Sequence, residues 1–546
     1  MTTIYQAATI LTMNPDRPRA THIAVRDGHI LAVGAAEDMP DGGMIDRQFA
    51  DKVLMPGFVE GHSHIMEGLF WDYHYVGYYD REGPDGTIWP GLKSIDAVLA
   101  RLKEIIASRP AAQADAPLIA WGFDPIFFSG RRMNIADLDS VSADIPIIVL
   151  HASLHILNTN SPVMEAAGVK ESDNSEAIRR DENGQPSGEF LGQLGMYMAM
   201  RTTGLNLLAA SGTGSSLKNF ANVARQTGVT TATDLANPLP DAAVEVLVET
   251  VNRDDFPMRL VVALQGGGPE AAQGIARLHE LAKHQSDKLR MPMVKFVADG
   301  SIQGFSARLK WPGYHNGAPN GLWYIEPSRL KELVAAYHSA GFQIHIHTNG
   351  DECTELALDA IEAAITAHPR PDHRHTLQHC QMASRAQFHR MAALGVGVNL
   401  FSNHLYYWGD AHISTTMGPE RAARLDNAGA ALDAGVNLAI HSDAPVTALA
   451  PLFTAWCAIN RLTSGGVTLG GDSAKISVAQ ALQAITLGAA RSLKMDSEIG
   501  SLEAGKRADC AILDADPMAI DPMALKDIGI AGTMVGGHIY MNGKRG

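Results

Sequence analysis

The sequence predicts an α/β protein in which a (β/α)8 TIM barrel carries a small composite β-sandwich domain from both termini and a large insertion after barrel strand 1. Three observations predict this architecture. Eight apolar segments of strand length occur between residues 53 and 443, and amphipathic helical stretches separate the later ones. Short β-rich runs punctuated by glycine occur only near the two chain ends. The first and second barrel strands lie much farther apart than one helix and two loops require.

The two chain ends are expected to pair into one domain, made of residues 1–52 and 495–546. The first part has two β-rich runs, and Asp27-Gly28 has the composition of a hairpin turn. The second part has the same texture. Because neither end forms a complete domain alone, we expect their strands to share one domain.

The barrel domain is expected to cover residues 53–494. Its eight predicted strands are 53–64, 229–236, 258–265, 292–300, 342–347, 375–380, 396–401 and 436–443. Helices are predicted at 96–108, 328–340, 352–368, 384–394 and 421–434. The insertion subdomain is placed at about 70–205, with a strand of its own at 145–151.

Composition excludes several classes of partner. The 546-residue chain has 46% hydrophobic and 19% charged residues, which is typical of a globular protein. Its net charge is −15, whereas binding to nucleic acids or anionic membranes requires a basic face. The charge therefore argues against both kinds of partner. We expect a cytoplasmic protein, because the chain has only four cysteines, no CxxC motif, and no apolar run typical of a signal peptide or membrane span. A small-molecule substrate is the expected partner.

Histidine pairs at strand ends point to a metal site. Side chains in a strand alternate faces, so His62 and His64 project to the same side. Active sites of barrels are built at the carboxyl ends of their strands. One such pair alone is more often a chance feature of a surface loop than a ligand pair.

The same alternation aligns further pairs at three other strand ends. These are His345 with His347, His375 with His379, and His441 with Asp443. Four strand ends that supply imidazole or carboxylate predict a divalent metal site. By the same count His345, His375 and His441 lie one layer lower, as orienters of the ligands or as participants.

Lys295 lies inside an apolar strand, where a charged amine is costly to bury. One interpretation is a lysine whose stem packs and whose amine reaches outward. The other is that burial and nearby cations lower its pKa, so that the neutral amine adds carbon dioxide. The resulting carbamate (N6-carboxylysine) could bridge two metal ions, as an unmodified lysine could not.

The sequence motifs that contain these histidines, Lys295 and Asp443 together resemble those of the amidohydrolase superfamily, specifically its family 3, the YtcJ-like or AepA-like group. The resemblance covers about residues 5–515 and rests on PGFVEGHSH, VKFVADGSIQG, HIHTNGD, RHTLQHCQ, NHLYYWGD, AIHSDAPV and GSLEAGKRADCAILDADP. It implies a metal-bearing barrel that hydrolyses an amide or related C–N bond, and a homodimer.

The resemblance also implies roles for individual residues. His62 and His64 would bind the more buried metal, and His347 and His379 the more exposed one. Lys295 as a carbamate would bridge them. Asp443 would bind metal and move protons. The sequence departs from the family where Phe305 stands at a position that is often basic, which argues against an anionic group on the substrate.

Aromatic residues after the first and seventh strands indicate an apolar or aromatic substrate moiety. The candidate substrate-binding residues are Trp71, Tyr75, Phe305, Tyr407 and Trp408. An equally good interpretation is that these rings pack the insertion onto the barrel. His404 precedes the Tyr-Tyr-Trp run and is a candidate contact for a carbonyl or a leaving group.

The predicted chemistry is hydrolysis through a metal-activated hydroxide, because a divalent ion lowers the pKa of water from about 15.7 to about 7 and polarises a carbonyl. Asp443 would act as general base and then as general acid. One or two ions per chain are expected, with zinc preferred and manganese, iron or cobalt also suitable. The expected substrate is a small N-acyl or N-formyl amine.

Three alternatives remain open on the same fold. A mononuclear deaminase would need one metal and no lysine ligand. A lactone, ester or carbamate hydrolase would use the same hydroxide. A catalytically inactive scaffold would be expected to have lost metal ligands, yet all six predicted metal-binding positions hold competent residue types.

Overall fold

The structure is a computed structural model of the chain. It describes residues 1–128, 131–170, 175, 177–207, 212–268 and 270–543. The chain forms two compact units. Residues 1–64, 221–444 and 449–546 form the first unit, and residues 65–220 and 445–448 form the second.

The first unit contains an eight-stranded parallel sheet whose strands neighbour one another in chain order. The strands are Phe58–Glu60, Val229–Asn237, Arg259–Gln265, Leu289–Val297, Gln343–Thr348, Thr376–His379, Gly397–Leu400 and Leu438–Ile440. A parallel bridge between Ser63 and Ala444 joins the ends of this sheet, so it closes on itself. The prediction of a (β/α)8 barrel is confirmed.

Helices follow most of the barrel strands. Their bounds are Gly214–Gln226, Asp241–Val251, Ala271–Leu281, Pro327–Ser339, Asp351–Ala367, Arg385–Leu394, Asn403–Ala411, Pro419–Ala422, Ala428–Asp433, Pro451–Asn460, Val478–Ala484 and Leu487–Ser492. Local sequence sets several of these ends. Ser384 and Gln387 form a capping box at the start of one helix, and Gly395 ends it in the left-handed conformation.

The single helix predicted at 421–434 is wrong. Two short helices, Pro419–Ala422 and Ala428–Asp433, stand there instead. Asp426 between them adopts a left-handed φ of 45°, which a continuing helix does not allow. The Asn427 side chain then caps the second helix by accepting a hydrogen bond from the Ala430 amide at 2.9 Å.

Both chain ends contribute to one seven-stranded sheet in the first unit. In spatial order its strands are His538–Met541, Ile530–Val535, Cys510–Leu513, Met44–Pro56, Thr3–Leu11, Arg19–Arg26 and His29–Gly34. The Asp27-Gly28 turn has positive φ angles at both residues, as a two-residue hairpin turn requires. Residues 53–56 of the predicted first barrel strand belong to this sheet, and the barrel strand starts only at Phe58.

The second unit has a six-stranded sheet and a short hairpin. In spatial order the sheet strands are Ile178–Arg180, Pro186–Leu191, Ile156–Thr159, Ile147–His151, Leu118–Phe123 and His74–Tyr75, and the hairpin strands are Arg81–Glu82 and Ile88–Trp89. Its helices are Met66–Phe70, Ile95–Ala107, Ile135–Asp139, Ser161–Ala166 and Gly192–Met200. The helix predicted at 96–108 and the strand predicted at 145–151 correspond to elements of this unit.

Two features bear on the compartment of the protein. Within the part of the chain that the structure describes, no helix combines the length and the apolar character that crossing a membrane demands. The four cysteines, all of them described, are free thiols with buried side chains.

A buried ion pair ties the terminal sheet to the barrel within the first unit. The Arg259 guanidinium begins the third barrel strand and donates to both carboxylate oxygens of Asp509, at 2.6 and 3.0 Å. Asp509 directly precedes the strand Cys510–Leu513. Both side chains are only 2% exposed, so removal of Arg259 would leave the buried Asp509 carboxylate without its counter-charge.

We therefore expect Arg259→Met to lower the free energy of unfolding by about 3–5 kcal/mol. The matched control is Arg253→Met, because Arg253 pairs with Asp255 on the surface, where about 0–1 kcal/mol is expected. Urea denaturation of the two variants measures the difference. Equal losses of stability would contradict a structural role for the buried pair.

Candidate metal centre

The candidate metal ligands lie at the carboxyl ends of the barrel strands. His62 follows the first strand, Lys295 lies within the fourth, His347 within the fifth and His379 at the end of the sixth, and Asp443 follows the eighth. Strands that neighbour one another in a barrel bring such residues to a common face. The bridge between Ser63 and Ala444 places the first and last of them side by side.

One group of ligand atoms converges on Asp443. Its Oδ1 atom lies 3.4 Å from Nε2 of His62 and 3.4 Å from Nε2 of His64. The ligand atoms of these three residues all lie within 4.8 Å of one another. Nζ of Lys295 lies 3.5 Å from the same His62 nitrogen. The structure therefore brings four of the predicted ligands around one point: His62, His64, Lys295 and Asp443.

A second group consists of His62, His379 and His441, again with ligand atoms within 4.8 Å. Both ring nitrogens of His379 and of His441, and Oδ1 of Asp443, are buried and make no hydrogen bond within the described chain. A buried polar atom without a partner is unfavourable unless something else satisfies it. Imidazole nitrogens and a carboxylate oxygen are ligands that suit a divalent transition metal such as zinc. The donor set therefore fits a metal ion.

His441 belongs to this second group, although sequence reasoning left it between an orienting and a participating role. Its ring stacks on His62 at 4.6 Å and on Phe401 at 5.0 Å. The signal was its alternation with Asp443 in AIHSD. The left-handed φ of 52° at Asp443 brings that residue to the same cluster, and alternation alone does not predict this bend.

His347 approaches the cluster but is not part of either group. Its ring lies 4.3 Å from that of His379. Its Nε2 atom lies 3.1 Å from Nδ2 of Asn349 and 3.4 Å from the Gly300 carbonyl oxygen. A ligand role for His347 stays a prediction.

The expectation that His375 shares a face with His379 is wrong. Nε2 of His375 lies 2.8 Å from Nδ1 of His338, which is a residue of the helix Pro327–Ser339, and its Nδ1 accepts from the Ile344 amide. His379 has a left-handed φ of 67°, which breaks the alternation of the strand. The backbone bend therefore separates the two histidines, and His375 is not part of the cluster.

Gln378 was missed by sequence reasoning, yet it fixes the orientation of His62. Nδ1 of His62 donates to Oε1 of Gln378 at 2.9 Å. Nε2 of Gln378 donates to Nδ1 of His345 at 2.8 Å, and Nε2 of His345 donates to the Ser492 carbonyl oxygen at 3.1 Å. This chain leaves Nε2 of His62 unprotonated and directed at the ligand cluster, as a metal ligand requires. The available signal was a glutamine inside a buried strand.

Burial sets the charges in the centre. It lowers the pKa of the Lys295 amine to about 7, so a large fraction of that amine is neutral at physiological pH. Burial alone would raise the pKa of Asp443, but the charge of His64, whose Nε2 atom lies 3.4 Å from Oδ1, holds it at about 2. Burial raises the pKa of Glu60, which accepts from the Ser442 amide, to about 8. Sequence reasoning did not find Glu60.

His404, Tyr407 and Trp408 lie on the helix Asn403–Ala411, directly after the seventh barrel strand. Trp408 is buried, with its ring 5.4 Å from that of His404. Tyr407 is half-buried and packs on Phe453 at 5.8 Å. These three candidates therefore share one element at the carboxyl face of the barrel, and their contacts with substrate stay predictions.

The remaining three candidates lie elsewhere. Phe305 is half-buried in the loop after the fourth strand and packs on Tyr314 at 5.2 Å. Trp71 and Tyr75 belong to the second unit, where both rings pack against Trp121, at 5.2 and 4.9 Å. Their contacts are those of an apolar core, and substrate binding by Trp71 and Tyr75 stays a prediction.

Comparison with known proteins agrees with this geometry. A family model described as the amidohydrolase family matches residues 50–541. Protein LONG AFTER FAR-RED 3 from Arabidopsis thaliana is 25% identical over 524 residues, which span 93% of this chain and 86% of that protein. N-substituted formamide deformylase from Arthrobacter pascens is 24% identical over 555 residues, which span 97% and 96%.

A solved structure shows the same fold. It is described as an uncharacterized metal-dependent hydrolase from Pyrococcus horikoshii OT3 and matches with a TM-score of 0.72 at 21% identity. The match covers 96% of this chain and 99% of that one.

The unpartnered ring nitrogens generate a test of the metal site. We expect His379→Asn and His441→Asn each to weaken metal affinity by at least about 100-fold, since removal of even a residue that orients a ligand costs about 10–100-fold. Titration of metal-depleted protein with zinc against a competing chelator measures the affinity. His375→Asn is the matched control, because that buried histidine hydrogen-bonds to His338 away from the cluster. Unchanged affinity in both ligand variants would contradict the site.

Proposed function

The chain belongs to the amidohydrolase family, and from this premise we propose that it is a metal-dependent hydrolase of a small N-acyl or N-formyl amine with an apolar or aromatic part. The observation that carries the proposal is the buried cluster of His62, His379, His441 and Asp443, whose ligand atoms converge. Both ring nitrogens of the two histidines His379 and His441, and Oδ1 of Asp443, make no hydrogen bond within the described residues. An unpartnered set of this kind is costly unless it binds an ion.

The two ligand groups support a proposal on the number of ions per chain. Both groups include His62, whose Nδ1 atom is engaged by Gln378 and whose Nε2 atom alone remains. One nitrogen cannot complete two separate sites. We infer that the unmodified chain holds one ion, and that a second ion needs Lys295 as a carbamate to supply bridging oxygens. Zinc is the first choice for such imidazole and carboxylate ligands.

A bound divalent ion supplies a Lewis acid that acidifies water and polarises a carbonyl group. The chain supplies the proton transfers. Asp443 stays ionised at neutral pH, because its pKa is held at about 2, and its Oδ1 atom has no hydrogen-bond partner. It can therefore accept the proton of an attacking water and deliver it to the leaving nitrogen, which leaves poorly as an anion.

The substrate class rests on the relative and on the aromatic residues. One relative is named an N-substituted formamide deformylase, so an N-formyl amine is the first substrate to test. Tyr407 and Trp408 stand beside His404 at the carboxyl face of the barrel, where they would contact an apolar group. Phe305 follows the strand that carries Lys295 and would extend the same wall. Substrate binding by Trp71 and Tyr75 is proposed from their aromatic character alone.

Substitution of the proton-transferring carboxylate tests the mechanism. Asp443→Asn is expected to lower kcat for hydrolysis of N-formyl and N-acyl aromatic amines by about 10²–10⁴-fold, because the amide cannot act as a base. The protein should still bind metal through its histidines, as elemental analysis would show. Asp433→Asn, an exposed change at 62% side-chain exposure, is the control. Full activity of Asp443→Asn would contradict the proposed role. If the wild-type enzyme released ammonia from an amino-heterocycle and cleaved no amide, it would be a deaminase.

A separate experiment tests whether Lys295 bridges two metal ions as a carbamate. Intact mass under non-acidic conditions should show a carbamate at Lys295 when elemental analysis gives about two ions per chain, and an unmodified chain when it gives one. Lys295→Ala should hold no more than one ion at any bicarbonate concentration. Two ions bound to a chain with unmodified Lys295 would contradict the bridging role.

A further inference from the structure

A second buried polar pair lies next to the metal centre but outside its ligand set. His404 begins the helix after the seventh barrel strand, and its ring lies 4.1 Å from that of Phe401. Phe401 in turn lies 5.0 Å from His441 and 6.0 Å from His379. His404 is therefore separated from the ligand cluster by a single aromatic ring, at the face where substrate must enter the barrel.

The Asp426 carboxyl group faces His404. Its Oδ2 atom lies 3.8 Å from Nδ1 of His404. Both carboxyl oxygens of Asp426 and the Nδ1 atom of His404 are buried and make no hydrogen bond within the described residues. A buried carboxyl group without a donor or acceptor is rare, because it loses its hydration without replacement.

The backbone around Asp426 is held in place by a buried arginine. Nη1 of Arg461 donates to the Asp426 carbonyl oxygen at 2.8 Å, and Nη2 donates to that of Leu425 at 2.6 Å. The Asp426 amide donates to the Gln381 carbonyl oxygen at 2.9 Å. Because Arg461 binds main-chain carbonyls here, the left-handed Asp426 is fixed while its carboxyl group stays available to His404.

We propose that Asp426 is a positioning residue that binds Nδ1 of His404, so that the imidazole presents an Nε2–H donor to the carbonyl oxygen of the substrate. This inference rests on the proposed hydrolysis of an N-acyl or N-formyl amine. It assigns a task to Asp426, which belongs to neither of the two metal-ligand groups, and it specifies which His404 nitrogen faces the reaction.

The environment of the pair supports this protonation pattern. Burial raises the pKa of the Asp426 carboxyl group well above its usual value, against the opposing charge of Arg461. Burial lowers the pKa of His404 to about 3. In the pairing we propose, the carboxyl O–H donates to Nδ1, and the ring proton stays on Nε2.

A neutral imidazole is a suitable donor for this reaction. Negative charge develops on the carbonyl oxygen during attack by water, and a fixed N–H donor stabilises that charge without reorganisation. A neutral histidine can act as such an electrophile when its surroundings keep it from protonating. The separation of 3.8 Å is longer than a hydrogen bond, as catalytic contacts often are before substrate is bound.

The test compares two substitutions of Asp426 in the metal-loaded enzyme. Asp426→Leu removes the donor to Nδ1 and is expected to lower kcat by about 10²-fold with KM changed less than about threefold. Asp426→Asn keeps an N–H donor and should recover at least about tenfold of that loss. In a His404→Gln background, Asp426→Leu should cause no further loss, because Asp426 acts only through His404.

A purely structural role for Asp426 predicts different results. The losses would then add in the double variant, and they would track thermal stability rather than kcat. His412→Gln is the matched control, because that neighbouring buried histidine already has a partner for each ring nitrogen, Thr416 and Gln381. Additive losses, or wild-type kcat in Asp426→Leu, would overturn the proposal.

A readout without turnover separates this proposal from the proposed function. Nitrogen-15 NMR of the histidine side chains, with His404→Gln to assign the signal, should show the Nε2–H tautomer for His404 in the wild type and a mixture of tautomers in Asp426→Leu. An Nδ1–H tautomer in the wild type would overturn the proposal. If the tautomer is as expected but no amide is cleaved by the zinc-loaded enzyme, the proposed function fails while the pairing of Asp426 with His404 stands.

Discussion

The closure of the barrel between its first and eighth strands is the contact on which the centre depends. The bridge from Ser63 to Ala444 is reinforced by hydrogen bonds from the His64 amide to the Ala444 carbonyl oxygen and from the Asp443 amide to the His62 carbonyl oxygen. Three of the residues that make these main-chain hydrogen bonds, His62, His64 and Asp443, also supply the side chains of the first ligand group. The same few residues therefore join the two ends of the sheet and build the site, so a local opening of this seam would disperse the ligands.

Burial gives this site both its cost and its chemistry. His62, Lys295, His379 and His441 are each at most 2% exposed, which disfavours the charged form of every one of them. Neutral imidazoles and a partly neutral amine are the forms that can bind a metal ion or add carbon dioxide. Asp443 keeps its charge because His64 stands against it. Asp443, paired with His64 and surrounded by the neutral imidazoles of His62, His379 and His441, thus carries the base function, and the same burial makes an empty cluster unfavourable.

The sequence predicted those parts of the site that follow from regular strand geometry. His62 with His64, and His441 with Asp443, follow from alternation, and the barrel follows from the repeated strands. What it could not predict depends on left-handed residues. His379 and Asp443 have positive φ angles, so alternation wrongly placed His375 on the same face as His379 and left the role of His441 open. Asp426 has the same conformation, and it divides a segment whose apolar pattern predicted one helix.

Three residues with a role in or beside this site, His379, Asp426 and Asp443, have positive φ angles, and there is a physical reason for this. A regular strand or helix end offers only the side-chain directions that its period allows. A site that must bring six or more side chains to one point needs directions between these, and a residue with positive φ supplies one at a cost that the surrounding contacts must cover. Arg461 and the Gln381 carbonyl oxygen hold Asp426, and the Thr348 carbonyl oxygen binds the amide next to His379. Substitution of Arg461, the one of these that acts through its side chain, should therefore affect the site through geometry, although Arg461 is not a candidate ligand.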